Sequence, residues 1–108
     1  MKILFDNGTP RPIARSLIGH EVVHARRIGW HELENGELIA KAEAAGFEVL
    51  LSTDKNIRYQ QNLARRKIAI VVLGSSQWPQ VRLCLDKIAI AVNAARPGSY
   101  TEVEIPVA

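Results

Sequence analysis

Between Ile68 and Leu73 the chain runs Ile-Ala-Ile-Val-Val-Leu without one polar residue, and this run constrains the fold more than any other feature. A strand with no polar face has to be covered on both sides. That is the situation of a parallel sheet with helices above and below it. Gly74-Ser75-Ser76 closes the strand, which begins at Lys67. Shorter β-forming runs occupy residues 2–6, 20–24, 47–53 and 100–105. Stretches of helical character separate them. Thr9 reads as a helix cap with Pro10 at the first helical position, and Ile13, Ala14, Leu17 and Ile18 follow at helical spacing up to Gly19. The spacing predicts a second helix over 35–45, with Leu38, Ile39 and Ala42 as its apolar stripe and Gly46 as its stop. Residues 29–34 read as a loop, and residues 56–66 as a polar helix. Residues 79–95 read as one long helix with Val81, Leu85, Ile88 and Val92 in phase, and its other faces are apolar enough to predict burial on more than one side. Five strands alternating with four helices predict a three-layer α/β/α sandwich. Its sheet is mostly parallel, with four to five strands in a single domain over residues 1–108.

Asp6 and Asp54 each come at the end of one of these strands. In a parallel sheet both carboxylates emerge at the carboxyl-terminal rim, where open α/β folds bind their ligands. Two like charges there repel, and a cation or a shared proton relieves them. Mg²⁺ or Mn²⁺ is the expected cation, because both favour oxygen ligands. Glu37 is a third acid, in the first turn of the 35–45 helix. The helix dipole alone favours a carboxylate at that position. A helix entering from the same rim also brings Glu37 toward the crevice. Asp6, Glu37 and Asp54 are therefore the candidate metal ligands and catalytic residues, with Asn7, Asn35, Thr53 and Asn56 as the polar rim. A cation held there would polarise a phosphodiester and activate water.

Bulk properties exclude several classes. No apolar stretch approaches the ~20 residues that a bilayer-spanning helix needs. The amino terminus enters a strand without a signal-peptide pattern, so a cytoplasmic location is the expectation. Cys84 is the one cysteine, which rules out an intrachain disulfide and a thiolate-rich zinc site; it reads as a core residue. Lys and Arg total 14 against 11 acidic residues, and the net charge of +3 permits nucleic-acid contact without requiring it.

The opening Ile3-Leu4-Phe5-Asp6-Asn7 followed by Pro10 resembles the first strand of the PIN-like family. Gly19-His20-Glu21-Val22-Val23-His24 is similar to that family's second strand, Asn35-Gly36-Glu37-Leu38-Ile39 to the start of its acidic helix, and Val49-Leu50-Leu51-Ser52-Thr53-Asp54 to its third strand. The likeness spans residues 2–73 and is strongest to small bacterial PIN-like proteins related to VapC-type toxins and to the Mut7-C domain. It implies a PIN fold and a metal-dependent ribonuclease site in which Asp6, Glu37 and Asp54 match the acidic positions. It also implies RNA as substrate and an antitoxin protein as partner. Three positions depart from the pattern. Relatives carry Asp-Glu-Asn after the first strand, Asp-x-Glu-Ile on the acidic helix and a second Asp beyond the third strand. Here stand Asp6-Asn7-Gly8, Asn35-Gly36-Glu37-Leu38 and Asn56. An asparagine offers one neutral carbonyl oxygen where a carboxylate would carry charge, which lowers cation affinity.

Basic residues supply candidate RNA contacts. Arg11 and Arg15 are four apart on the first helix, and Arg58 and Arg65 share a face of the 56–66 helix; a solvated face explains either pattern equally well. Arg26-Arg27 with Trp30 and His31 would clasp a single strand by charge and stacking, although a Trp in a loop more often packs against its own domain. His20 and His24 share one strand face and lack zinc spacing, so they read as structural. Two rival functions remain. A non-catalytic PIN-like module would bind an antitoxin, or a second copy of itself, through Trp78, Val81, Leu85, Ile88 and Val92. A phospho-receiver would use Asp54 as acceptor, Asp6 as magnesium ligand and Ser75 or Ser76 as the following hydroxyl. It would also need adjacent acids after the first strand and a lysine after the fifth, and the chain has neither.

Overall fold

The computed structural model describes residues 1–57, 63 and 66–106. Its five strands are β1 (Lys2–Phe5), β2 (Glu21–His24), β3 (Val49–Ser52), β4 (Ala69–Leu73) and β5 (Tyr100–Val103). They form one sheet in the order β2-β1-β3-β4-β5, with every neighbouring pair parallel. The expectation of a mostly parallel sheet is met in full. Strand order reverses between β1 and β3, so the sheet opens a crevice beyond the carboxyl ends of those two strands.

The sheet is buried on both faces, as the polar-free run in β4 requires. Ile3, Phe5, Val49, Leu51, Ala69, Val71 and Leu73 face one core, and Leu4, Leu50, Ile70 and Val72 face the other. The two-residue alternation of a strand divides them. The first core is closed by Ile13 and Leu17, from a 3₁₀ turn at Arg11–Ser16 and just beyond it, and by Val81, Ile88 and Val92. The second is closed by α1 (Asn35–Ala44) through Leu38, Ile39 and Ala42, with Ala25 and Ile57. Gly46, at φ 85°, ends α1 in the left-handed conformation that glycine adopts without steric cost. Its N–H reaches the Glu43 carbonyl, and Phe47 reaches that of Ala42.

Two local expectations are corrected. The first helix is only the 3₁₀ turn at Arg11–Ser16, capped at Pro10 with no side-chain cap. Thr9 does not cap it, because its hydroxyl is turned toward the sheet (below). The helix expected over 79–95 is broken into α2 (Trp78–Val81), a 3₁₀ turn (Arg82–Cys84) and α3 (Leu85–Asn93). The break sits at Cys84, whose φ −118° and ψ 19° leave the helical region while its thiol is buried. This segment buries one side only. Val81, Ile88 and Val92 are fully covered, whereas Leu83 and Ile90 are 71% and 68% exposed. The predicted helix over 56–66, with Arg58 and Arg65, lies mostly outside the described residues. None of the described helices is long and apolar enough to cross a membrane.

Candidate active site at the carboxyl-terminal rim

β1 and β3 run parallel in register, Leu4 beside Leu50 and Phe5 beside Leu51. The Asp6 N–H continues the ladder to the Leu51 carbonyl at 3.1 Å. By strand alternation Asp6 then lies on the same face as Leu4, and Ser52 on the same face as Leu50, across one inter-strand gap. Ser52 is completely buried, and its hydroxyl donates to Asp6 Oδ2. Ser52 Oγ in turn accepts the Asp54 N–H at 3.1 Å. One hydroxyl therefore ties the first acid to the backbone of the second.

Asp6 is held from three sides. Besides Ser52, its Oδ1 lies 2.8 Å from the hydroxyl of buried Thr9, which also lies 2.9 Å from the Leu51 carbonyl. The Gly8 N–H is a further donor to the carboxylate. Burial pushes the Asp6 carboxyl above the ordinary aspartate range, and the nearby Asp54 charge adds to that; the Ser52, Thr9 and Gly8 hydrogen bonds oppose it without cancelling it. Asp54 is half-buried, accepting Asn35 Nδ2 at 2.8 Å on Oδ2 and the Asn56 N–H at 2.9 Å on Oδ1. The two acids thus meet where the strand order reverses.

The remaining expected residues divide. Asn35 joins the pair because it lies three residues before Leu38, on the inward stripe of α1. Glu37 stands about 200° around the helix from Asn35 and is exposed. Among the described residues no three His, Cys, Asp or Glu side chains are grouped to hold a metal ion. Two carboxylates and an amide stand together where three carboxylates were expected. Asn7 donates through Nδ2 to the His31 carbonyl and so secures the loop before α1. Thr53 is half-buried, with its Oγ1 2.5 Å from where a Cβ on Gly8 would lie, so only glycine fits there without displacing it. Asn56 contributes its N–H while the residue is exposed. Arg11 lines a small notch beside Asp6, with Arg26 and His24. Arg15 lies four residues further along the 3₁₀ turn, about 8 Å from Arg11 along its axis.

Ser52, Thr9 and His24 are site residues that sequence reasoning missed or assigned elsewhere. Ser52 was legible: it stands two residues before Asp54, and a parallel register with β1 puts it beside Asp6. His24 ends β2 opposite Phe5 and therefore reaches the same rim. His20 is structural, bridging the terminal ammonium at 3.0 Å and Asn93 Oδ1 at 2.7 Å. Ser75 accepts the Gln77 N–H and donates to Gln80, serving the start of α2 and not a receiver site. A larger cleft of about 410 Å³ lies further along the rim between Lys55, Glu102 and Glu104, and neither paired acid lines it.

A cation fits this donor set in one mode only. Mg²⁺ is commonly held by one or two carboxylates with water completing its shell. Asp6 and Asp54 satisfy that description. Their present donors would orient them as outer-shell partners. A cage of three carboxylates is not offered.

Fold and site together define a doubly wound α/β domain with paired acids at its switch point. The family model for a PIN-like domain matches residues 1–75, and the chain belongs to that family. Searches of curated proteins and of solved structures give no match.

Proposed function

We propose that the chain is a metal-dependent ribonuclease of the PIN-like, VapC-related type, hydrolysing an RNA phosphodiester at the β1–β3 rim. One observation carries the reading: Asp6 and Asp54 are brought together at the switch point and fixed to one another through Ser52. Asp6 and Asp54 would hold Mg²⁺ or Mn²⁺, which when bound supplies charge neutralisation at the phosphate and a more acidic water. Ser52 and Thr9 hold the Asp6 carboxylate in one orientation, and Asn35 holds that of Asp54. Glu37 is exposed and turned about 200° from Asn35, so it takes no part in holding the ion. Arg11 and Arg26 place positive charge beside the acids, where an anionic substrate has to approach. The test is cleavage of single-stranded RNA with Mg²⁺ or Mn²⁺ by wild type, Asp6→Asn and Asp54→Asn. Loss in both variants, with unchanged circular dichroism, supports the reading; wild type inert on every RNA with either metal sinks it.

A second reading is a non-catalytic interaction module that binds an antitoxin or a second copy. It is favoured by the exposure of Leu83 and Ile90 beside the broken helix. Of the surface first suggested for it, Val81, Ile88 and Val92 are core, and Trp78 and Leu85 are partly buried against that core. Light scattering of wild type against Leu83→Glu/Ile90→Glu tests it. A monomer in both cases removes self-association.

A further inference from the structure

We propose that the notch between Arg11, His24 and Arg26 is a seat for one phosphate group of a single RNA strand, set immediately beside the paired acids. The inference rests on the ribonuclease reading for the identity of the strand, but the seat itself stands on different residues. Its walls are Asp6, Asn7, Thr9, Arg11, His24 and Arg26, and it encloses about 80 Å³, a space suited to a group of phosphate size. Arg11 opens the 3₁₀ turn after β1, His24 ends β2, and Arg26 lies in the turn that follows. Two separate pieces of chain, the turn after β1 and the end of β2 with the turn that follows it, thus deliver cationic or hydrogen-bonding groups to one concavity. Among the described residues none of Arg11, Arg26 and Arg27 makes an ion pair; the one ion pair found joins Arg66 to Glu43. The guanidinium groups at this rim are thus unpaired among the described residues, with Asp6 as the one acid in the notch wall.

His24 registers that field. Burial first, then Arg11 and Arg27, hold its imidazole below the ordinary histidine range. The single acid in the wall, Asp6, has its oxygens engaged by the Ser52 and Thr9 hydroxyls, which spread its charge. Guanidinium groups present planar forks of donors that match phosphate oxygens. Asp6 and Asn7 also wall an adjoining notch of about 110 Å³ that reaches Trp30, His31 and Asn35. Charge in one notch and aromatic and amide groups in the next suit a nucleotide laid across them.

The test is calorimetric titration in EDTA, where no metal-dependent cleavage occurs, with inorganic phosphate and with tetrauridylate carrying a 5′-phosphate or a 5′-hydroxyl. Arg11→Ala and Arg26→Ala are compared with Arg82→Ala, which removes the same charge from the α2–α3 turn. The expected result is affinity weakened about tenfold or more by each of the first two substitutions and unchanged by the third. The slope of log affinity against log salt should become shallower by about one for either seat arginine removed. Equal affinity of the two oligonucleotides assigns the seat to a backbone phosphate, and preference for the 5′-phosphate assigns it to a strand end. Equal weakening by all three substitutions, or equal binding of a phosphoserine peptide of the same charge, overturns the proposal. Wild type that binds through Arg11 and Arg26 yet cleaves no RNA leaves the seat standing and removes the ribonuclease.

Discussion

Ser52 Oγ lies between the Asp6 carboxylate, to which it donates, and the Asp54 N–H, from which it accepts. A fully buried hydroxyl used in both directions leaves no slack between the two strand ends. Ser52→Ala removes that link and strands one buried donor and one acceptor. The expected cost is about 1–3 kcal/mol, read by denaturant titration. Metal-dependent cleavage should fall by about 10- to 100-fold, because the carboxylates lose their orientation. An unchanged rate would mean the link is structural only.

Asp6→Asn should abolish cleavage and raise stability at neutral pH. The folded protein raises the Asp6 pKa, chiefly through burial, so it holds the proton more tightly than the unfolded chain does. That contribution is complete at pH values below the ordinary aspartate pKa and is lost as pH rises through the raised folded value. At pH 7 the charged group is therefore a burden. Removing it should raise the thermal midpoint at pH 7. The advantage should vanish near pH 3, and thermal melts at both pH values check it.

Glu37→Gln should change cleavage by no more than about twofold, since Glu37 is exposed and faces away from Asn35. Asn35→Ala should weaken it more, because it frees the Asp54 carboxylate. The reverse order, measured as kcat/KM on one RNA, would show that α1 turns when substrate binds.

Glu43 ties α1 to the entry of β4, accepting Arg66 Nη1 at 2.8 Å and the N–H groups of Lys67 and Ile68. Burial raises its pKa, but the Arg66 side chain and the two N–H groups together outweigh burial and leave it lowered. Its contribution is present above the unfolded glutamate value of about 4.5 and is lost as pH falls through the depressed folded value. Glu43→Ala should cost about 1–2 kcal/mol at pH 7, discounted for partial exposure. The difference from wild type should shrink in urea titrations below pH 4.

Ile88 and Ile90 lie two residues apart on α3 and should behave oppositely. Ile88 is fully buried, and Ile88→Ala should cost about 2–5 kcal/mol. Ile90→Ala should stay within about 0.5 kcal/mol. Equal costs would mean that a partner covers Ile90 in solution.

The sheet was legible because a polar-free β4 admits one environment, and the acid pair was legible because Asp6 and Asp54 both follow strands. What escaped was set by neighbours. Thr9 has the chemistry of a cap, yet the Asp6 carboxylate and the Leu51 carbonyl compete for its hydroxyl and win. Glu37 and Asn35 sit in the same helical turn, and only the direction of the Leu38–Ile39–Ala42 stripe decides which one turns inward. The break at Cys84 left no mark in the spacing, because the apolar residues on either side of it keep a continuous pattern.

The family match ends at residue 75, yet Val81, Ile88, Val92, Val103 and Ile105 come from beyond it and cover the same sheet face as Phe5 and Leu51. A shortened chain stopping there would keep both acids, shed most of one roof of the sandwich, leaving Ile13 and Leu17, and lose its outermost strand. Bare Val71 and Leu73 and an open β4 edge would then invite sticking between copies. The final third of the chain is thus scaffolding on which the acid-bearing rim depends.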